Sequence, residues 1–131
     1  MKHPLFFLIL LSALLTSCRK EEGIGGDAEI SGQVWTYALN GSLTDTIADY
    51  AAEDTYVYIV FGDHSGFDKR IKTDYNGKFR FSYLYPGDYT IYTYSFDMNE
   101  IDQSSPVIRK VHISERSEKI EMERIDILSL P

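Results

Sequence analysis

Two turns lie close together between Thr73 and Tyr89, in the run T-D-Y-N-G-K-F-R-F-S-Y-L-Y-P-G-D-Y. Asn76-Gly77 is a strong short hairpin signal, because a type I′ turn needs φ > 0 at both central residues. Asn tolerates that conformation and Gly meets it without steric cost. Asp68–Asp74 before it and Lys78–Tyr83 after it are predicted to pair across the turn. In Lys78–Tyr83 the aromatics alternate with polar residues, the period-2 pattern of a half-buried strand. Pro86-Gly87 then fits the two central positions of a type II turn, and Asp88–Phe96 is again strand-like. A chain punctuated this often has room for strands and little for helix.

The remaining segments extend the pattern. Strands are predicted over Glu29–Ala38, Thr55–Phe61, Pro106–Ser114 and Glu118–Leu128. An acidic connection, Leu39–Asp54, a turn over Gly62–Phe67 and a polar loop over Asp97–Ser105 separate them. No stretch sustains a 3.6-residue apolar period. With 131 residues and 14% aromatics, the chain reads as one all-β domain. The expected fold is a seven-stranded antiparallel Greek-key β-sandwich. Alternation assigns the inner face to Ile30, Gly32, Val34, Val57, Ile59, Phe61, Ile71, Phe79, Phe81, Tyr89, Ile91, Val111, Ile113, Ile125 and Ile127. In the last strand Ile120 and Met122 share one parity and Ile125 and Ile127 the other. A bulge near Glu123-Arg124 would reconcile them, because one extra residue flips the register.

T-D-x-N-G-K-F followed by L-x-P-G-x-Y-T-I resembles the hallmark of carboxypeptidase regulatory-like domains, small prealbumin-like β-sandwiches akin to transthyretin and Cna protein B-type repeats. Ile30-Ser31-Gly32-Gln33-Val34 is similar to that family's first strand and Thr55–Phe61 to its second. The likeness spans roughly residues 28 to 128. Leu39–Asp54 departs from it, being longer and more acidic than the usual connection. The resemblance implies a structural or binding module without catalysis. In it Asp74, Asn76, Gly77, Pro86 and Gly87 serve as structural turn residues.

Residues 1–17 read as a secretory leader, with Lys2 as a basic start and an apolar run over Leu5–Leu15. Leu15-Thr16-Ser17-Cys18 resembles the bacterial lipobox. Cys18 is the only cysteine, so it has no internal disulfide partner. A cleaved leader with an incidental Cys is the plain alternative to acylation there. Several acyl chains, palmitate among them, would anchor the chain stably where one would not. Lys20-Glu21-Glu22 is similar to the export signal of surface lipoproteins of the Bacteroidetes; a solvated tether is the bland reading. Residues 18–28, with Gly23, Gly25 and Gly26, read as a flexible tether ahead of a domain over 29–131. The expected location is the outer membrane, lipid-anchored and facing the cell surface.

Alternation leaves Trp35, Tyr37, Tyr56, Tyr58, Tyr92, Tyr94 and Phe96 on outer faces. Two readings stand. Cross-strand aromatic pairs can stabilise a sheet by roughly 0.2–1 kcal/mol each. An exposed aromatic surface can also bind a glycan or an envelope protein. Other chemistry is sparse. His64 sits near Asp68 in a turn, His112 points outward, and no HExxH, GxSxG, P-loop or dinucleotide fingerprint occurs. No metal, cofactor or catalytic residue is expected. The acids Asp45, Asp49, Glu53 and Asp54 read as a solvated loop. The net charge of −7 argues against nucleic acid, whose binding rests on Lys and Arg at phosphates. The expected role is a non-enzymatic envelope binding or scaffolding module. A pilin-like fibre subunit and an accessory of an envelope enzyme are the alternatives.

Overall fold

The computed structural model describes residues 20–130. The leader and Cys18 therefore lie outside the described residues. Among the described residues nine strands form two sheets: β1 (Ile24–Leu39), β2 (Thr46–Ala51), β3 (Tyr56–Phe61), β4 (Lys69–Lys72), β5 (Lys78–Leu84), β6 (Gly87–Phe96), β7 (Ser104–Ile113), β8 (Lys119–Glu121) and β9 (Ile125–Ser129). The architecture is an all-β sandwich.

β1 is the spine of the first sheet. One of its edges pairs antiparallel with β5 and then, past Val34, with β2. The other edge pairs with β8 and then β9, both parallel. The second sheet runs β4-β3-β6-β7 and is antiparallel throughout. The inner faces meet over Ile30, Val34, Val57, Ile59, Phe81, Leu84, Tyr89, Ile91, Ile113 and Ile125, all essentially sealed from solvent. Each such side chain contributes about 1.5–3 kcal/mol on burial. Every residue that alternation placed inside either belongs to this core or packs against it, save Gly32, which lies under the Phe79 ring. Leu84, Ala28 and Ala52 join the core as well. Leu84 and Ala52 sit at strand ends, where alternation carries little information, and Ala28 lies in the part of β1 that precedes the expected first strand.

Several expectations need correction. The strands flanking Asn76-Gly77 do not pair with each other: β4 joins β3 in one sheet and β5 joins β1 in the other. The turn carries the chain from sheet to sheet. Gly77 alone has positive φ (74°), so the turn is not type I′. Gly77 N–H donates to Asp74 C=O at 2.9 Å and Asp74 N–H to Lys78 C=O at 3.0 Å. That is the three-residue loop with a left-handed glycine. The Asp74 carboxylate stabilises it by accepting from the N–H groups of Asn76 and Lys78, each at 2.9 Å.

Pro86-Gly87 also crosses between sheets, and it is an open bend. The N–H of Asp88, which a closed type II turn would send back to Tyr85, donates to the Glu22 carboxylate at 3.3 Å. Gly87 has φ of 144°, wider than a type II turn requires.

Leu39–Asp54 contains a strand, β2, paired with β1 from Trp35↔Ala51 to Leu39↔Thr46. The count therefore rises above seven. The sheet is mixed because β8 and β9 run parallel to β1. The expected register flip is present there: Ser31 pairs with Glu121 but Val34 with Ile125, one residue out of step.

Much of the stretch read as a flexible tether is part of the fold. β1 starts at Ile24, and Lys20, Glu22 and Gly23 before it contact the sandwich. Gly23 N–H donates to Tyr89 Oη at 3.0 Å, and Tyr85 N–H donates to Gly23 C=O at 2.9 Å. Lys20 Nζ lies 5.0 Å from the centre of the Tyr85 ring.

Candidate functional site

The outward aromatics divide between the two sheets. Trp35 and Tyr37 lie on the outer face of β1, while Tyr56, Tyr58, Tyr92, Tyr94 and Phe96 lie on the second sheet. A single platform of all seven, as alternation alone permits, does not form.

The β1 pair is committed to internal partners. Trp35 Nε1 donates to Asp49 on β2 at 2.7 Å, and Tyr37 Oη accepts from Arg124 at 2.9 Å. The Arg124 guanidinium also lies 5.1 Å from the Trp35 ring centre and donates to Asp126 at 2.8 Å. The Asp126 carboxylate, above all, holds the Arg124 pKa above its usual value. These contacts bind β2 and β9 to the spine, so Trp35 and Tyr37 act as structural pins.

The second sheet is different. Buried Val57, Ile59, Ile91 and Thr93 alternate with Tyr58, Tyr92 and Tyr94, which turns the tyrosines outward. Register places Tyr58 directly opposite Tyr92. Their rings stack 4.9 Å apart and within 7° of parallel. Tyr94 meets Tyr58 and Tyr92 edge to face at 5.7 and 5.8 Å. Phe67, from the loop after β3, closes on Tyr58 at 5.0 Å, and Tyr56 stands 6.3 Å away. Such pairs contribute about 0.5–1.5 kcal/mol each beyond area burial. The stabilising role is therefore real, yet Tyr94 and Tyr56 remain 47% and 38% exposed. Burial first, then the neighbouring Tyr94 and Tyr58 phenols, raises the Tyr92 pKa above the ordinary 10.0, so its hydroxyl stays neutral. Phe96 lies at the end of β6, outside this ring cluster.

Alternation missed the cluster's neighbours. Register sets Lys72 beside Tyr56 and Arg70 beside Tyr58 on β4, and Ile108 beside Tyr92, Pro106 beside Tyr94 and Lys110 beside Thr90 on β7. The Arg70 guanidinium lies 4.3 Å and Lys72 Nζ 5.2 Å from the Tyr56 ring centre. Lys110 Nζ donates to Thr90 Oγ1 at 2.9 Å. Ile108 is 51% exposed. Lys69–Lys72 held the signal, since Arg70 and Lys72 share parity with the tyrosines across the sheet.

The turn residues Asp74, Asn76, Gly77, Pro86 and Gly87 lie in the two crossings between the sheets. His64 Nδ1 lies 2.9 Å from Asp68, whose carboxylate also accepts from Phe61 N–H at 2.7 Å. That hydrogen bond, more than any other cause, raises the His64 pKa above 6.5. Its NMR titration midpoint should therefore lie above 6.5 and fall back in Asp68→Asn. A raised folded-state value means the pair stabilises the protein fully below about pH 6.5, with that contribution lost as pH rises through the higher midpoint. An unchanged midpoint in Asp68→Asn would refute the assignment. His112 Nδ1 meets Asp88 at 2.7 Å on the outer face. Among the described residues no three His, Cys, Asp or Glu side chains gather as metal ligands. Two surface clefts of about 1000 and 920 Å³ lie elsewhere, one beside Glu22, Tyr85 and Arg116, the other between Ile71, Phe79 and Met122. None of Tyr56, Tyr58, Tyr92 or Tyr94 lines either.

No family model matches the sequence, and no curated protein matches it. Solved structures are similar at low identity. A Pseudomonas aeruginosa protein for which carbohydrate binding has been suggested aligns with TM-score 0.46 and 16% identity, over 90% of this chain and 96% of its own. An (S)-allantoin synthase aligns with TM-score 0.42 and 10% identity, over 80% of this chain and 43% of its own. A 9R-lipoxygenase from Cyanothece gives 0.41 and 14%, over 92% of this chain and 20% of its own. The chain thus spans less than half the length of the last two.

Proposed function

We propose that this chain is a non-catalytic binding module of the bacterial envelope, a carboxypeptidase regulatory-like sandwich anchored in the outer membrane through an acylated Cys18 and facing the cell surface. Its contact surface is the tyrosine face of the second sheet, and its ligand is a glycan. The observation that carries the reading is the mutual packing of Tyr58, Tyr92 and Tyr94 on an outer face. Rings locked by one another lose little rotamer freedom on binding, which removes a cost of about 0.5–1.5 kcal/mol per side chain. The rings also combine an apolar body with a hydroxyl that can bond a partner. Strand exchange of the pilin type needs a sheet that lacks a strand, whereas β1 is paired on both edges.

The test uses the full-length protein in detergent micelles against a panel of immobilised polysaccharides. Tyr94→Ala removes an exposed ring and leaves the core untouched. It should weaken binding about five- to tenfold, as expected for a central contact residue. Trp35→Phe, on the opposite sheet, should leave affinity unchanged. Equal binding by Tyr94→Ala, or loss only in Trp35→Phe, would refute the tyrosine face.

A further inference from the structure

The tyrosine face is basic on a protein that is otherwise acidic. The whole chain has a formal net charge of −7. Arg70, Lys72 and Lys110 nevertheless border the tyrosines, all three exposed. Among the described residues the ion pairs use other cations: His64, Arg80, His112, Arg116, Lys119 and Arg124. Among the described residues no carboxylate lies within 4 Å of Arg70, Lys72 or Lys110. Two of them rest on the Tyr56 ring and the third is held by a threonine hydroxyl. These contacts position the cations and leave their charge unneutralised. In a chain with more acids than bases, three uncompensated cations beside the tyrosine cluster form a localised positive field.

We propose that the ligand of this face is a carboxylated polysaccharide, its acid groups held by Arg70, Lys72 and Lys110 and its hydroxyls by the tyrosine rims; this rests on the reading of the tyrosine face as the contact surface. Three observations favour such a ligand. Tyr92 stacks on one face of Tyr58, Tyr94 stands across the edges of both stacked rings and Phe67 meets Tyr58 at a steep angle, so the rings are largely taken up by one another and offer a partner their hydroxyl rims. The apolar groups on the face are spread around the tyrosines, Pro106 and Ile108 on the β7 edge, Val60 on β3 and Phe67 in the loop after it, and do not gather in one central pocket. Tight protein interfaces are built around desolvated anchor pockets. This surface is flat and hydroxyl-rich with unpaired cations, which suits an extended, hydroxylated anion.

The test compares immobilised polygalacturonate with its fully methyl-esterified form, using the full-length protein in micelles. Polygalacturonate should bind at least tenfold more tightly. The combined Arg70→Gln, Lys72→Gln and Lys110→Gln variant should lose about tenfold, since each exposed ion pair accounts for a few-fold in affinity. A wild-type control does not depend on that variant folding. Raising ionic strength from about 0.1 to about 1 M shortens the screening length from about 10 to about 3 Å and should produce a similar loss. Equal binding of acid and ester, weakened by Tyr94→Ala, would overturn the carboxylate while leaving the tyrosine face in place. Failure of both polysaccharides, with an envelope protein retained through Tyr94, would overturn the glycan. Binding that neither Tyr94→Ala nor the cation variant alters would overturn both proposals.

Discussion

Gly77→Ala should unfold this protein at a much lower temperature than any surface change, with a loss of about 4 kcal/mol. Gly77 sits where β2, β5 and the spine meet. Its carbonyl accepts from Val34 N–H at 2.8 Å, and Val34 C=O in turn accepts from Ala52 N–H at 3.0 Å. A Cβ at Gly77 would overlap the Val34 carbonyl oxygen and come within 3.1 Å of Ala52 N. Neither neighbour is a flexible side-chain end; both are backbone atoms already bonded into the sheet. The left-handed φ adds about 1–2 kcal/mol for any residue with a Cβ. Displacing the carbonyl breaks at least one buried hydrogen bond, at about 1–3 kcal/mol. For a domain of this size the sum corresponds to a fall in Tm of about 15 °C. Thermal unfolding by circular dichroism checks it. A fall of less than about 4 °C would mean that this junction is looser than its geometry implies.

Tyr89→Phe should cost about 2 kcal/mol, or about 8 °C in Tm, although it removes only one oxygen. Tyr89 is 1% exposed, and its hydroxyl ties two backbone segments together. It donates to Tyr85 C=O at 2.6 Å, four residues back, in the manner of a tyrosine corner. It also accepts from Gly23 N–H at 3.0 Å, the point where the N-terminal segment enters the fold. Phe would keep the ring and leave both backbone groups buried without that partner. The loss should be local as well as global, with amide exchange at Gly23 and Ile24 rising before the rest of β1. Alkaline pH provides a second readout. Burial, foremost, raises the Tyr89 pKa above 10.0. The folded state therefore holds this proton more tightly than the unfolded chain does. The associated stability is complete below about pH 10 and declines as pH rises beyond it. Tyr89→Phe should lack that component of the alkaline decline.

Side-chain alternation made much of this fold legible. It placed Val57 and Ile59 inside and Tyr58 outside, and it anticipated the register flip between Met122 and Ile125, because burial with period 2 leaves that trace in a strand. Pairing partners are set by contacts distant in sequence, and a dipeptide does not encode them. Asn76-Gly77 therefore marked a turn correctly but could not show that the chain leaves one sheet for the other. β2 was hidden for a related reason. Nearly every residue from Thr46 to Ala51 is exposed, so Thr-Ile-Ala-Asp-Tyr-Ala carries no burial pattern. Gly23, Gly25 and Gly26 read as flexibility, whereas Gly25 and Gly26 permit close approach to Tyr85 and to the Leu84 backbone. Packed glycines and flexible glycines look alike in a sequence.

The candidate site was half legible. Parity identified every exposed tyrosine of the second sheet but grouped them with Trp35 and Tyr37, which are held by Asp49 and Arg124 on the other face. Only strand order separates the two sets. The cations were missed because Arg70 and Lys72 reach the tyrosines through the β3–β4 register, and Lys110 through β6–β7.

The most direct measurement is a tyrosine-ring and amide NMR titration of the full-length protein in micelles with polygalacturonate oligomers. Shifts should concentrate on Tyr56, Tyr58, Tyr92 and Tyr94 and on the amides of β4 and β7, with Trp35 and Tyr37 unmoved. Shifts confined to Trp35, Tyr37 and β2, to the cleft beside Tyr85 and Arg116, or to no residue at saturating ligand would contradict the tyrosine face as the contact surface.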